Sequence, residues 1–320
     1  MIKVGFIGVG GMGMGQAHAM AKSRRFRVVA GADQSPRSCA AFNADFPRAA
    51  VYRDHRELLK DTNVDAVVVA VTPVAQRGIA IDAMKSGRDV LCEKPMARTV
   101  ADCRRMIDAQ EKTGRVLMVA HCRRFDTVWG AFAKLYRDGD LGRQVIWRHC
   151  VADGGPPQRW FWDQKTSGGP VMIAAIHDID FAVSMFGDPT HVQASSVKLG
   201  KTSVIDTVTA VVHHADSSKL MFSWGWGSPT MPKLLDILGP KASLAIDRTA
   251  HRLTDRETGR SRKITFRKTD MYITQAKHFA DCIEHNAKCI SPATEAIKAV
   301  AVAQAILKAA PSGRTCSVQW

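Results

Sequence analysis

Residues 3–15 read KVGFIGVGGMGMG. Val4 to Ile7 is a short run of strand-forming residues that stops at Gly8, and the continuation from Gly15, GQAHAMAKS, has the composition of a helix. Gly8, Gly10 and Gly13 therefore form G-x-G-x-x-G between a strand and a helix, with Gly11 and Met12 inside the same turn. Glycine there lets the backbone approach a pyrophosphate, which the unpaired N–H groups and dipole of the helix N-terminus favour. A second strand, Arg27 to Ala32, ends in Asp33. A carboxylate at that place accepts hydrogen bonds from both ribose hydroxyls of adenosine and repels a 2′-phosphate. NAD is the expected cofactor. NADP stays open because Arg37 either pairs with a phosphate or is a solvated residue of the next helix.

Outward from this turn the alternation continues. Ala50 to Tyr52 reads as a weak strand and His55 to Lys60 as a short helix. Val64 to Val71 is apolar on both faces, as a central parallel strand requires, and Thr72 and Pro73 break it before a helix over Gln76 to Ser86. A strand at Asp89 to Cys92, a helix at Thr99 to Lys112 and a strand at Val116 to Ala120 complete a doubly wound α/β pattern. Beyond Arg124 the order changes. After a helix at Trp129 to Asp138, strands follow strands at Val145 to Val151, His191 to Lys198, Asp206 to His213, Lys219 to Trp226, Leu234 to Leu238, Ser243 to Asp247 and Ser261 to Phe266. Such an order predicts hairpins and an antiparallel or mixed sheet. Helices over Tyr272 to Asn286 and Thr294 to Ala309 close the chain. The expected division is a dinucleotide-binding domain over 1–123 and an α+β domain over 124–320.

The 320 residues suit two domains, and 46% hydrophobic with 23% charged residues gives enough apolar surface for large cores and no disordered signature. No apolar run reaches the roughly 18 residues of a membrane helix, and the Val4 to Val9 run lacks a signal-peptide cleavage pattern, so a cytoplasmic protein without membrane partners is expected. Eight cysteines without any CxxC spacing exclude a disulfide framework. The net charge of +15 is dispersed over separate elements and lacks interleaved aromatic platforms, so nucleic acid is not expected as a partner. The basic run over 256–268 reads as an exposed hairpin turning at Thr258 and Gly259.

Two side-chain groups invite a chemical reading. Glu93, Lys94 and Pro95 follow a buried strand at its carboxyl end, the edge where open α/β sheets bind ligands. A lysine there can hydrogen-bond a substrate hydroxyl and stabilise a developing alkoxide, with Glu93 to orient it, although an ordinary surface ion pair has the same sequence. His278, Cys282, His285 and Cys289 share one face if the penultimate helix runs that far. Ligands on successive turns of one straight helix cannot close a tetrahedron, so no metal is expected.

VGFIGVGGMG, TP at 72–73, SGRDVLCEKPMA over 86–97, HCRRFD from His121 and SGGPVMIAAIHDID over 167–180 together resemble the Gfo/Idh/MocA oxidoreductases, which include inositol dehydrogenases and glucose-fructose oxidoreductases. The resemblance runs along essentially the whole chain. It implies an N-terminal Rossmann domain, a C-terminal domain on a large open sheet, and an NAD(P)-dependent exchange of hydride with a secondary alcohol or ketone of a sugar or cyclitol. Lys94 matches the lysine of the family's EKP, His177 the histidine that exchanges the hydroxyl proton, and Arg123 an arginine lining the substrate cleft. Trp162 is the nearest match to a tryptophan beside the nicotinamide. Gly8, Gly10, Gly11, Met12, Gly13, Asp33, Arg37, Thr72, Pro73, Glu93, Lys94 and Trp162 are thus expected against the cofactor, and Lys94, Arg123, Trp162 and His177 against the substrate.

Departures from the pattern are also present. Ile173 stands where the family commonly has Asp four residues before the histidine, leaving Asp178, Asp180 or no carboxylate to orient His177. Arg77 replaces the histidine of TPxxxH, and Val74 a frequent Asn. Two alternatives remain: an NAD-dependent glycoside-cleaving enzyme with transient oxidation, and a non-catalytic dinucleotide-binding sensor. A homodimer or homotetramer is expected through the open sheet, because KLMFSWGW (219–226) carries apolar residues on both faces.

Overall fold

The computed structural model describes all 320 residues and divides into two compact units, Met1–Phe125 with Asp270–Ala296, and Asp126–Thr269 with Ile297–Trp320. In the first, β1 (Ile2–Ile7), α1 (Gly11–Ser23), β2 (Phe26–Ala32), α2 (Pro36–Asp45), β3 (Ala50–Tyr52), α3 (His55–Lys60), β4 (Ala66–Val69), α4 (Pro73–Lys85), β5 (Asp89–Cys92), α5 (Val100–Thr113) and β6 (Leu117–Val119) alternate along the chain. All strand pairs are parallel, in the order β3-β2-β1-β4-β5-β6. The order reverses between β1 and β4, so the carboxyl ends of these two strands flank the point where ligands bind in open α/β sheets. β4 is inaccessible along its whole length, as its unbroken valines require.

The second unit begins with α6 (Thr127–Arg137), capped by the Asp126 carboxylate on the Val128 N–H. It continues through β7 (Ile146–Asp153), α7 (Ile176–Phe186), β8 (Pro189–Val197), β9 (Thr207–His214), β10 (Lys219–Trp226), β11 (Leu234–Leu238), β12 (Ala242–Ala245), β13 (His251–Asp255) and β14 (Ser261–Ile264). After α8 (Met271–His285) and α9 (Ala293–Ala309), β15 (Cys316–Ser317) joins the far edge of the sheet. The nine strands run β14-β13-β12-β11-β7-β10-β9-β8-β15, antiparallel except for the β7–β10 pair. The sheet's core face is built by alternation: Leu220, Phe222 and Trp224 of β10 are buried while Met221 and Ser223 between them are half-buried. The strand at His251–Asp255 is absent from the sequence reading because Leu253 is the only aliphatic residue of HRLTD. Its own His251 and Leu253 are nonetheless buried, and the β13–β14 hairpin turns at Gly259, whose φ is +67°.

A single cut between residues 123 and 124 does not describe this division. α8 returns to the first unit, where Ala276, Phe279 and Ala280 enter the core made by Val4, Phe6, Met20 and Phe26. Phe279 stacks on Phe26 with ring centroids 5.9 Å apart, and Arg25 donates to Asp281 at 2.8 Å. The physical reason is the apolar stripe of α8, which the sheet of the first unit buries at roughly 1.5–3 kcal/mol for a phenylalanine-sized side chain. Sequence order gives no sign of which core that stripe enters. No helix of either unit is long and apolar enough to cross a membrane.

Candidate active site

The glycine turn is shaped by close approach. Gly8 has φ +87°, and a Cβ there would lie 2.3 Å from the Ala70 carbonyl oxygen. A Cβ on Gly13 would lie 1.9 Å from the Gly8 oxygen, so α1 can start this close to β1 only with glycine at both places. Gly10 is different: nothing lies within 4 Å of the Cβ it lacks, which leaves the mouth of the turn open. Gly10 caps α1 without a side-chain bond, and the N–H groups of Gly11, Met12 and Gly13 in the first turn have no intrahelical acceptors. An open space faced by helix N–H groups fits a pyrophosphate.

Asp33 closes the other side of this cradle. Its Oδ2 accepts the Val9 N–H at 3.0 Å and its Oδ1 the Ser35 N–H at 2.8 Å. The carboxylate therefore ties the end of β2 to the glycine turn, and each oxygen keeps lone-pair capacity for a ribose hydroxyl. Arg37 is exposed in the first turn of α2, behind the Ser35 cap. Arg53, which sequence reading did not single out, donates to the Gln34 carbonyl in the same loop. Thr72 is the N-cap of α4 and the buried Pro73 its first residue, on the strand end opposite Asp33 across β1.

At the end of β5, Glu93 is 5% exposed. Its Oε1 accepts from Gln16 Nε2 at 2.7 Å and its Oε2 from the Lys94 backbone N–H at 3.2 Å. Gln16 is in turn held by Gln275 of α8 at 3.4 Å. Gln76 of α4 braces the same bend, with its Nε2 donating to the Glu93 and Met96 carbonyls at 2.9 and 3.4 Å and to that of Pro95. The Lys94–Pro95 peptide is cis. Burial pushes the Glu93 carboxyl up against the opposing pull of the Lys94 ammonium and the Gln16 bond. Burial also lowers the Lys94 ammonium, partly offset by Glu93 and the Cys122 thiol, while Arg123 lowers it further. The Cys122 thiol, pushed up to about 11 chiefly by burial, is hydrogen-bonded with Tyr272, whose hydroxyl burial also raises.

Gln16, Gln76, Cys122 and Tyr272 escaped sequence reading. Gln16 and Gln76 sit in otherwise apolar stretches of α1 and α4, the one available signal, since a polar side chain on a buried helix face must find partners. The structure thus brings Gly8, Gly10, Gly11, Met12, Gly13, Asp33, Thr72, Pro73, Glu93 and Lys94 to the carboxyl ends of β1, β2, β4 and β5. Arg123, in a 3-10 turn over Cys122–Phe125 after β6, is half-buried.

Trp162 and His177 belong to the second unit. Trp162 ends a 3-10 turn (Arg159–Trp162). Its indole N–H donates to the Pro156 carbonyl at 2.8 Å, and its ring packs 5.5 Å from that of Trp226. Gly155, at φ +70°, makes room for it: a Cβ there would fall 2.6 Å from the indole. His177 lies in the first turn of α7, directly after a π-helical turn over Val171–Ala175 that carries Ile173. Such turns are frequent at functional sites. The Asp178 carboxylate binds His149 and the Trp224 indole.

The expectation that His278, Cys282, His285 and Cys289 line one helix face is corrected. α8 ends at His285, Asn286 takes the left-handed conformation (φ 51°), and the reversed chain brings Cys289 back beside His278 and Cys282. His285 stays in the exposed last turn.

Residues 2–121 match the oxidoreductase family with an NAD-binding Rossmann fold, and residues 129–245 match the GFO/IDH/MocA C-terminal domain, so the two matches together span more than half of the chain. The chain is 30% identical over 167 residues to a myo-inositol 2-dehydrogenase of Thermotoga maritima, covering 50% of this chain and 49% of that protein. It is 26% identical to a 1,5-anhydro-D-fructose reductase of Ensifer adhaerens over 82% of each. The chain spans about half the length of the first of these relatives. An oxidoreductase from Agrobacterium radiobacter, solved in complex with NAD+, L-tartaric acid and magnesium, has the same fold: TM-score 0.88 at 20% identity, covering 99% of this chain and 98% of that one.

Proposed function

The chain belongs to the GFO/IDH/MocA oxidoreductase family, and from that membership we propose that it is an NAD-dependent oxidoreductase acting on a secondary alcohol or ketone of a sugar or cyclitol. The observation that carries this reading is Lys94. Its side chain is half-buried at the carboxyl end of β5, beside a carboxylate held by Gln16 and by the Lys94 backbone itself, and burial holds its ammonium below the ordinary lysine range. A surface ion pair has no need of such a support.

NAD, when bound, supplies the hydride acceptor. The N–H groups at the start of α1 hold its pyrophosphate and Asp33 its adenosine ribose. Lys94 Nζ donates to the reacting oxygen and stabilises charge developing there. The His177 imidazole takes the hydroxyl proton. Arg123 and Trp162 orient the substrate. Assay of a panel of inositols, aldoses and keto-sugars with NAD and NADP, followed by nicotinamide absorbance, tests the reading. Turnover of none of them by cofactor-replete protein would count against it.

We further propose a homodimer or homotetramer formed through the solvent face of the nine-stranded sheet, where Ile146, Leu234 and Leu238 are 39%, 39% and 42% exposed on the adjacent strands β7 and β11. A monomer at all concentrations in light scattering would exclude it. Ile146→Lys with Leu238→Lys should weaken the assembly.

A further inference from the structure

The end of α8 carries a group of donor atoms that the proposed reaction does not use. We propose that His278 Nε2, Cys282 Sγ and Cys289 Sγ form a binding site for one soft divalent cation, zinc foremost, with the fourth coordination position open. The three atoms lie within 4.8 Å of one another, and Cys282 Sγ is 3.5 Å from His278 Nε2. In a tetrahedral zinc site with Zn–S of about 2.3 Å and Zn–N of about 2.0–2.1 Å, nitrogen and sulfur ligands stand about 3.5 Å apart and two sulfurs about 3.8 Å. The separation of His278 and Cys282 is that of two ligands around one ion, and the 4.8 Å limit leaves Cys289 within a small side-chain adjustment of the third position.

The geometry arises from the reversal of the chain. Asn286 in the left-handed conformation ends α8, and the Ala287 N–H returns to the Asp281 carbonyl at 3.2 Å. The three residues that follow carry Cys289 back over the turn that bears Cys282 and His278. The histidine is already in the tautomer a metal needs: the Ile290 N–H donates to Nε2 at 3.0 Å, so Nε2 holds the lone pair and the ring proton sits on Nδ1. A cation at Nε2 displaces that one N–H, a weak neutral bond beside two metal–thiolate bonds. Phe125, with its ring centroid 5.5 Å from that of His278, limits rotation of the imidazole.

Access is also provided. Cys289 lines a hollow of 460 Å³ with Lys288, Ile290, Pro292, Thr294 and Glu295, and it lines a second of 210 Å³ together with Cys282 and Asn286. Water or a further donor can reach the fourth position from either. Binding M²⁺ by two thiols releases two protons to solvent and leaves the metal–dithiolate unit neutral. Soft thiolate and imidazole ligands select zinc over magnesium or calcium. The bound ion would join the end of α8 to the loop after it.

The test uses the full chain, reduced and freed of metal. Titration with Co(II) should give one equivalent with visible d–d bands and a thiolate-to-metal charge-transfer band, all displaced by Zn(II). Alkylation followed by peptide mapping should show Cys282 and Cys289, and not the other six cysteines, protected by zinc. Cys289→Ser and His278→Gln should each weaken zinc binding at least tenfold while NAD binding is unchanged. Absence of the Co(II) spectrum in folded, reduced protein overturns the proposal without any variant having to fold. Protection mapped to other cysteines overturns it equally.

Discussion

Asp178 and His149 form a buried pair: Asp178 Oδ1 lies 2.8 Å from His149 Nδ1, and the two residues are 0% and 5% exposed. The other oxygen, Oδ2, accepts the Trp224 indole N–H at 2.9 Å. The carboxylate next in sequence to His177 thus pins the first turn of α7 to β7 and β10. Asp178→Ala leaves a histidine and an indole N–H without their acceptor, and it should cost about 3–5 kcal/mol of stability. Urea denaturation measures this. A loss below about 1 kcal/mol would remove the pair as a support of α7.

Lys94→Ala should lower turnover about a hundredfold, or about 2.7 kcal/mol of transition-state stabilisation, with NAD affinity changed little. The ammonium is held below its ordinary range by burial. The reaction needs it charged, so activity should fall as pH rises through that lowered value, and the alkaline limb should lie below the usual lysine range of about 10.4. Steady-state kinetics across pH checks the limb. Lys94→Arg should move it upward in whatever activity remains.

Asp33→Ser should shift the kcat/KM preference from NAD toward NADP, since it removes the charge that repels a 2′-phosphate and leaves Arg37 and Arg53 nearby. The same change removes the acceptor for the Val9 N–H. Some loss of affinity for both cofactors is therefore expected. A direct comparison with both cofactors, in which wild type already prefers NADP, would contradict this reading of Asp33.

His251 is fully buried, its Nε2–H donating to the Val128 carbonyl at 2.8 Å, and burial lowers its pKa. Burial lowers His214 in the same way. Below a pH of about 6.5 the unfolded chain takes up protons on these rings that the folded chain still refuses. Stability should accordingly be complete above that pH and decline as pH falls toward the lowered folded values. His251→Gln should flatten part of the decline in urea midpoints between pH 7 and pH 5.

The glycine turn, Asp33 and the alternation of the first 120 residues were legible from sequence because each is a local device. A strand, a turn that only glycine can make and a helix start all lie within a dozen residues, and the strand that ends in Asp33 follows directly. Lys94 was legible as a lysine at a strand end. Glu93 was legible as the carboxylate beside it, but the amides that hold this bend were not, because Gln16, Gln76 and Gln275 come from three helices far apart in the chain. The β13 strand was hidden because Leu253 is its only aliphatic residue, although it lies next to the sheet edge with His251 and Leu253 on a buried face.

The sequence by itself determined the two classes of sheet and the place of the dinucleotide turn, since apolar periodicity and glycine spacing act over a few residues. Only the tertiary structure decided which core receives α8, where Cys289 returns, and what Asp178 holds. The places of α8 and Asp178 depend on contacts between segments separated by tens to hundreds of residues, and the return of Cys289 on the left-handed turn at Asn286. No local propensity encodes such contacts; what selects among them is the apolar surface each packing removes from water and the partners it provides for polar groups buried with it.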